Sequence, residues 1–405
     1  MKQRYDMNVL FLTMNTFTGI NMHNIYSDLM LEFISKGHRP YIVTPREKKT
    51  GEATELVDYA DHSILKVRIG NTSNVSLIEK GISTVTLSHL YYDAIKKHLG
   101  DIDFGLILYS TPPITLSGPV KKLKRIFKAK TYLMLKDIFP QNAVDLGMFG
   151  KNNPIYAYFR AKEKKLYKIS DKIGCMSQAN VEYVLENNPM IDRSKVGLCY
   201  NAVIPCKAED NTQYKKQLKQ DLGLDEDTVV YLYGGNLGKP QDIPFLIECL
   251  KANENKRDRY FIICGSGGDY NLLDDYVNQA APANVKLISF LPKPEYDALV
   301  KGCDAGLVFL SHRFTIPNFP SRLLSYMENS LPTVICSDTA TDMGKIAEEN
   351  GFGWWCESDN AENFTKVLDH ITKEKASEFG TRARKYLEEN YTADKCCEAI
   401  LEAIK

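Results

Sequence analysis

Three clusters in this 405-residue sequence hold residue types that grip an anion, and all three lie in its second half. The first is Tyr233-Gly234-Gly235-Asn236-Leu237-Gly238-Lys239, between an apolar strand pattern and the helical pattern Ile243–Leu250. Glycines let the backbone approach an anion closely, and a helix start adds free N–H groups and the positive end of its dipole. Lys239 supplies a point charge for phosphate. The same residues would also make a tight strand-to-helix turn with a surface lysine, and they match neither the P-loop nor the G-x-G-x-x-G pattern. The second cluster, Cys264-Gly265-Ser266-Gly267-Gly268, again ends a strand and reads equally as a flexible turn.

The third cluster is the most informative. It runs Ile316-Pro317-Asn318-Phe319-Pro320-Ser321-Arg322-Leu323-Leu324-Ser325-Tyr326-Met327, followed by Leu331-Pro332-Thr333-Val334. Pro320 and Ser321 are good helix-start residues, which puts Arg322 in the first turn. Ser325 is three residues on and shares its face. A guanidinium, a hydroxyl and free N–H groups then converge on one space, which suits a diphosphate. A capped surface helix would give the same local pattern.

In the first half the candidate is Asp137, at the end of an apolar strand. It would orient or deprotonate an attacking hydroxyl, or stabilise positive charge developing at a reacting carbon. Alternatively it caps the helix that Pro140 helps to start. Only Thr18-Gly19 follows the first strand, where a nicotinamide-dependent dehydrogenase would carry a glycine cluster. Asp101-Ile102-Asp103 and Asp225-Glu226-Asp227 have the look of metal motifs but sit in exposed loop contexts, so no metal or other cofactor is expected.

The elements that must position these residues alternate between short apolar runs and amphipathic helical patterns. The spacing predicts strands at Asn8–Thr13, Arg39–Thr44, Ser63–Val67, Leu106–Tyr109, Thr131–Leu135, Lys172–Met176 and Val196–Tyr200. A second set falls at Val229–Gly234, Tyr260–Cys264, Val285–Phe290, Ala305–Phe309, Thr333–Ile335 and Gly353–Trp355. Helical patterns such as His23–Lys36 and Ser88–His98 lie between them. Such alternation predicts parallel sheets covered by helices on both faces. The length fits two doubly wound domains of about 200 residues each. The join is expected near Asn201–Asp210, giving domains at 1–203 and 204–384. The long helical pattern Ala376–Lys405 is expected to leave the second domain and pack back on the first from about residue 385. Ligands of such folds bind in the crevice beyond the strand C-termini.

Taken together, these segments resemble the family 4 retaining glycosyltransferases of the GT-B fold, in which two Rossmann-like domains face each other across a crevice. Thr18-Gly19, with Gly37-His38 before the second strand, resembles the family's acceptor-side pattern. Gly235-Asn236-Leu237-Gly238-Lys239 resembles its phosphate loop, and Asn318 to Val334 the region that grips ribose and diphosphate. Lys136-Asp137-Ile138-Phe139-Pro140 with Asp145-Leu146-Gly147 is similar to a subgroup making amino-sugar linkages in bacterial capsule and O-antigen pathways, with N-acetylfucosaminyl transferases the nearest likeness. Many family members carry two glutamates eight positions apart, and Pro317 and Ser325 stand at those positions here. The resemblance implies metal-independent sugar transfer with retention from a nucleotide-sugar donor, UDP-linked by expectation. Asp137, Lys239 and Arg322 would carry the reaction; Gly235, Asn236, Gly265, Leu291, Ser321 and Ser325 would hold the donor; Thr18 and Gly19 would face the acceptor. A polyprenyl-diphosphate-linked saccharide is the acceptor implied. A sugar-nucleotide 2-epimerase, or an inactive nucleotide-sugar-binding scaffold, would use the same architecture.

Charge divides the chain. Its net charge is zero, yet residues up to Tyr200 hold 28 Lys+Arg against 19 Asp+Glu, and the remainder 23 against 32. Two basic clusters, Lys121 to Lys130 and Arg160 to Lys172, lie in the first half; the former interleaves Leu123, Ile126 and Phe127. They read either as solvated helix faces or as contacts to an anionic membrane surface. Nucleic acid is not expected, because no binding motif accompanies the charge. The start, Met1 to Asp6 with Lys2 and Arg4, leads into an apolar run too short for a signal peptide, and no stretch reaches the roughly 20 apolar residues of a membrane span. The ten cysteines include no C-x-x-C pair, and several sit in strand-like runs, as small buried hydrophobes of a reducing compartment do. A cytoplasmic protein, held peripherally at the inner face of the cell membrane, is the expectation.

Overall fold

The computed structural model describes residues 5–72 and 77–405, so Met1, Lys2 and Arg4 lie outside the described residues. The chain divides into two compact units, one running to Ile204 and regaining Ala393–Lys405, the other spanning Pro205–Thr392.

The first unit holds β1 (Asn8–Leu12), β2 (Arg39–Glu47), β3 (Glu55–Asp58), β4 (Ser63–Ile69), β5 (Leu106–Ser110), β6 (Lys130–Leu135), β7 (Lys172–Cys175) and β8 (Val196–Leu198). They form one sheet in the order β3-β4-β2-β1-β5-β6-β7-β8. Every pairing is parallel except that of β3 with β4. The central strands are runs of Val, Ile, Leu and Phe with almost no exposed surface, as a sheet covered on both faces requires. Strand β3 was not foreseen: Glu55-Leu56-Val57-Asp58 is short, and its ends are exposed carboxylates.

The second unit holds β9 (Val229–Asn236), β10 (Arg259–Ser266), β11 (Val285–Ile288), β12 (Ala305–Phe309), β13 (Thr333–Ser337) and β14 (Gly353–Glu357). The order is β11-β10-β9-β12-β13-β14, all parallel. Chain order reverses between β9 and β12, and a doubly wound sheet opens its ligand crevice at the C-terminal ends of such a pair. Strand β11 stops at Ile288, short of the expected Phe290.

The expected single helix over Ala376–Lys405 is two helices. Lys373–Asn390 stays with the second unit, and Ala393–Ile404 belongs to the first. The break falls at Tyr391, whose buried ring packs against Phe319 at 6.0 Å and Tyr386 at 5.4 Å. Turning that ring inward takes its backbone out of helical geometry, at φ −119° and ψ 36°. The returning segment is therefore Ala393–Lys405, not 385–405. It buries Cys396, Cys397 and Ile400 in the core built on Val9, Phe11 and Phe33. Lys36 fastens it by ion pairs to Asp394 at 2.6 Å and Glu398 at 3.2 Å.

Candidate active site

Strands β9 and β10 run two residues further than the sequence suggests, so the glycine clusters are strand ends in register. Gly235 pairs with Gly265, and Asn236 with Ser266. Gly235 has φ +127°, and a Cβ there would meet the Arg322 guanidinium at 3.3 Å. A Cβ on Gly265 would strike the carbonyl of Gly235. Both positions are glycine because a side chain would fill the space where backbone, strand and arginine meet. Beyond the strand, Asn236 donates through Nδ2 to Gln241 Oε1 at 2.8 Å, and Lys239 is exposed at the start of a 3₁₀ turn.

Arg322 opens the helix Arg322–Glu328, as the sequence predicts, directly after Ser321. Ser321 occupies the capping position, but its hydroxyl makes no capping bond and is exposed. The Arg322 guanidinium lies 4.7 Å from the centroid of the Tyr233 ring. Its Nη1 is buried without a hydrogen-bond partner. Among the described residues no carboxylate forms an ion pair with it. A guanidinium set against Tyr233 with one buried, bare nitrogen is an incomplete arrangement, and an anion from outside would complete it. Ser325 sits half-buried a turn further along the helix, and Leu291 is half-buried in the coil after β11.

The tyrosines around this arginine were not foreseen. Tyr326 accepts from the Gly234 N–H at 3.0 Å and donates to the Leu307 carbonyl at 3.3 Å, tying the helix to β9 and β12. Tyr233 donates to the Asn236 carbonyl at 2.5 Å. The Tyr296 hydroxyl fills the space over Gly234 where a Cβ would otherwise stand. These contacts join positions tens of residues apart, which periodicity cannot reveal. Only the spacing of Arg322 and Tyr326, one helical turn, was a local clue.

Asp137, Thr18 and Gly19 belong to the first unit. Asp137 follows β6, and the helix Gln141–Asp145 after it has Pro140 at its capping position with no side-chain capping bond, so Asp137 is not its cap. Both carboxylate oxygens instead accept from Asn142 Nδ2, at 2.8 and 2.9 Å. The Thr111 hydroxyl accepts from the Lys136 N–H at 3.1 Å and fixes the approach to this turn. Burial pushes the Asp137 carboxyl up to about 6; the Ile138 N–H and Asn142 pull it partway back, and Glu163 adds a smaller upward push. A carboxylate near 6 is suited to take a proton at neutral pH. Thr18 is exposed and Gly19 half-buried in the coil after β1.

The basic clusters are only partly free. Leu123 and Phe127 are core residues, so Ile126 alone of the interleaved apolar trio is exposed. Lys124 is tied to Asp171 at 2.6 Å, and Arg160 to Glu163 at 2.6 Å. The two Asp-rich triplets have exposed acidic residues. Among the described residues no helix is long and apolar enough to cross a membrane.

Two Rossmann-like units in one chain, each built on a mostly or wholly parallel sheet, are the architecture of the GT-B fold. The whole chain superposes on solved proteins of that fold. Sucrose-phosphate synthase from Thermosynechococcus elongatus matches over 98% of each chain with a TM-score of 0.76 at 11% identity. HepE from Anabaena, solved with UDP and glucose, matches over 98% of this chain and 99% of its own with a TM-score of 0.64 at 13% identity. At sequence level residues 214–390 match the family "Glycosyl transferases group 1". The probable glycosyltransferase WbjE of Pseudomonas aeruginosa is 22% identical over 327 residues, 78% of each chain. The putative colanic acid biosynthesis glycosyl transferase WcaI of Escherichia coli (strain K12) is 22% identical over 249 residues, 60% of each. The second unit therefore carries a glycosyl transferase group 1 domain, and the protein is a glycosyltransferase.

Proposed function

We propose that the protein transfers a sugar from a UDP-linked donor, an N-acetylated amino or deoxyamino sugar, with retention at the anomeric carbon. The acceptor is a polyprenyl-diphosphate-linked saccharide in the synthesis of a bacterial surface polysaccharide of capsule or O-antigen type. The observation that carries the donor half is Arg322, half-buried, with a buried and unpartnered Nη1 beside the glycine end of β9. The diphosphate lies there, with Lys239 and Asn236 at its outer side, Gly265 behind Gly235, and Ser321 and Ser325 along the helix. As the sugar–oxygen bond breaks, negative charge grows on the diphosphate, and preorganised cations stabilise it without a metal. Leu291 borders the nucleoside. Thr18 and Gly19 face the acceptor, whose hydroxyl gives its proton to Asp137. Support for the setting comes from WcaI, named for colanic acid biosynthesis, and from HepE, solved with UDP and glucose.

Acceptor lipid implies work at a membrane. Exposed Met148, Ile155 and Tyr158 lie along the chain between Asp137 and the basic run Arg160 to Lys172, with exposed Ile126 beside Arg125. Lysine-flanked apolar side chains of this kind settle at an anionic interface.

The test is a panel of UDP- and other nucleotide-sugars incubated with extracted lipid-linked acceptor, with and without EDTA. Transfer from a UDP-amino sugar that survives EDTA supports the reading. Transfer only from another nucleotide's sugar corrects the donor, and epimerised sugar with donor alone replaces the reading with an epimerase. Co-sedimentation with anionic vesicles, weakened at high salt, tests the membrane face.

A further inference from the structure

The unforeseen strand β3 has a consequence at its turn. Residues Tyr59 to His62 join β3 to β4, and the Tyr59 N–H donates to the His62 carbonyl at 2.9 Å. Arg39 clamps this turn from the start of β2. Its guanidinium reaches Asp58 at 2.7 Å, the Ala60 carbonyl at 2.8 Å and the Tyr59 carbonyl at 2.9 Å. A turn held at that many points has little freedom left to lose on binding.

On it the Tyr59 and His62 rings stack, with centroids 4.4 Å apart and planes at 10°. Asp61 lies 2.7 Å from His62 Nδ1. A carboxylate only accepts, so Nδ1 carries the proton and, in the neutral ring, Nε2 is left as an acceptor. That Nε2 is buried and has no partner, and the His62 side chain is only 6% exposed. An acceptor left bare in this way costs free energy unless something outside the fold donates to it.

Tyr59 and His62 form one wall of a cavity of about 380 Å³, closed by the loop Thr18, Gly19, Ile20, Asn21 and Met22. Among the described residues the side chains of Thr18 and Asn21 hydrogen-bond to nothing, and both are exposed. None of the lining residues is a lysine or arginine, so the cavity is not built for a phosphate. Its walls combine aromatic rings, the apolar side chains of Ile20 and Met22, a hydroxyl and an amide, with the His62 Nε2 buried just behind them. A pyranose has the matching surface: C–H faces for the rings and hydroxyls that donate to a nitrogen and exchange bonds with Thr18 and Asn21.

We propose that this cavity is a saccharide-binding subsite for a neutral sugar ring, with Tyr59 as its platform and His62 Nε2 as its acceptor. The inference rests on the reading of the protein as a glycosyltransferase with Thr18 and Gly19 on the acceptor side, and extends it to a sugar away from the reacting hydroxyl.

The experiment is saturation-transfer NMR on the full chain with methyl α-D-glucopyranoside, methyl N-acetyl-α-D-glucosaminide and methyl α-L-fucopyranoside, beside calorimetry with UDP. Transfer to at least one glycoside is expected, reduced roughly tenfold by Tyr59→Ala and by His62→Ala and retained in Tyr59→Phe. UDP affinity should be unchanged throughout. Tyr59 is 42% exposed, so Tyr59→Ala should fold even if His62→Ala does not. No transfer to any of the three at millimolar concentration, or transfer that survives Tyr59→Ala, overturns the proposal. If UDP fails to bind but the glycosides bind at this turn, the donor reading falls and the subsite stands.

Discussion

Two arginines of the second unit are provided for in opposite ways. Arg259, at the start of β10, is 2% exposed and carries its own counter-charges: Asp258 and Asp369 each at 2.7 Å, with Asn253 at 2.9 Å. Arg322, at the other end of the same sheet, has the face of Tyr233 and a bare Nη1. One is complete within the fold; the other has no carboxylate partner among the described residues. Burial of a charge by itself therefore says nothing about function, and what separates the two is where the neutralising charge comes from.

That contrast can be broken by substitution. Arg259→Ala should destabilise the second unit by about 1–3 kcal/mol, because it leaves the buried Asn253 Oδ1 without its donor, while any protein that still folds binds UDP normally. Denaturant unfolding with calorimetry on the folded fraction reads both. Arg322→Ala should do the reverse, weakening UDP binding roughly 10- to 100-fold while changing unfolding free energy by less than about 1 kcal/mol. Equal loss of stability in the two variants would erase the distinction.

Asp137→Asn extends the comparison to a half-buried carboxyl. The Asp137 carboxyl stands at about 6, above its ordinary 3.8, so the fold favours the protonated form. Its contribution to stability is full below about pH 4 and is lost as pH rises through 6. Relative to wild type, the asparagine variant should gain about 1–3 kcal/mol between pH 4 and pH 7, read by thermal melts across that range. Transfer activity should fall steeply while UDP affinity holds. The smallest effect is expected at Lys239, which is exposed: Lys239→Ala should weaken UDP binding by roughly tenfold or less, and the difference should shrink as salt is raised.

Much of this was legible in the chain. Runs such as Val229–Gly234 and Ala305–Phe309 announce strands because apolar β-formers between glycine- and proline-rich breaks have few other homes. Pro320-Ser321 placed Arg322 at a helix start correctly. What was illegible depended on contacts across the fold. Nothing local says that Tyr296 covers Gly234 or that Asn142 rather than a helix end takes the Asp137 carboxylate. Strand β3 escaped because four residues ending in exposed Glu55 and Asp58 carry too little alternation to stand out. The helix break at Tyr391 escaped because a ring turning into the core leaves the surrounding pattern helical.

The return of Ala393–Ile404 to the first unit bears on how the chain is made. All of Pro205–Thr392 must leave the ribosome before Cys396 and Ile400 can cover Phe11 and Phe33. At ribosomal speed that interval is on the order of ten seconds or more. The first half thus waits, with one apolar face open, while a complete second unit forms downstream. A nascent chain with that history exposes apolar surface for the whole interval, and the last helix acts as the latch that ends the wait.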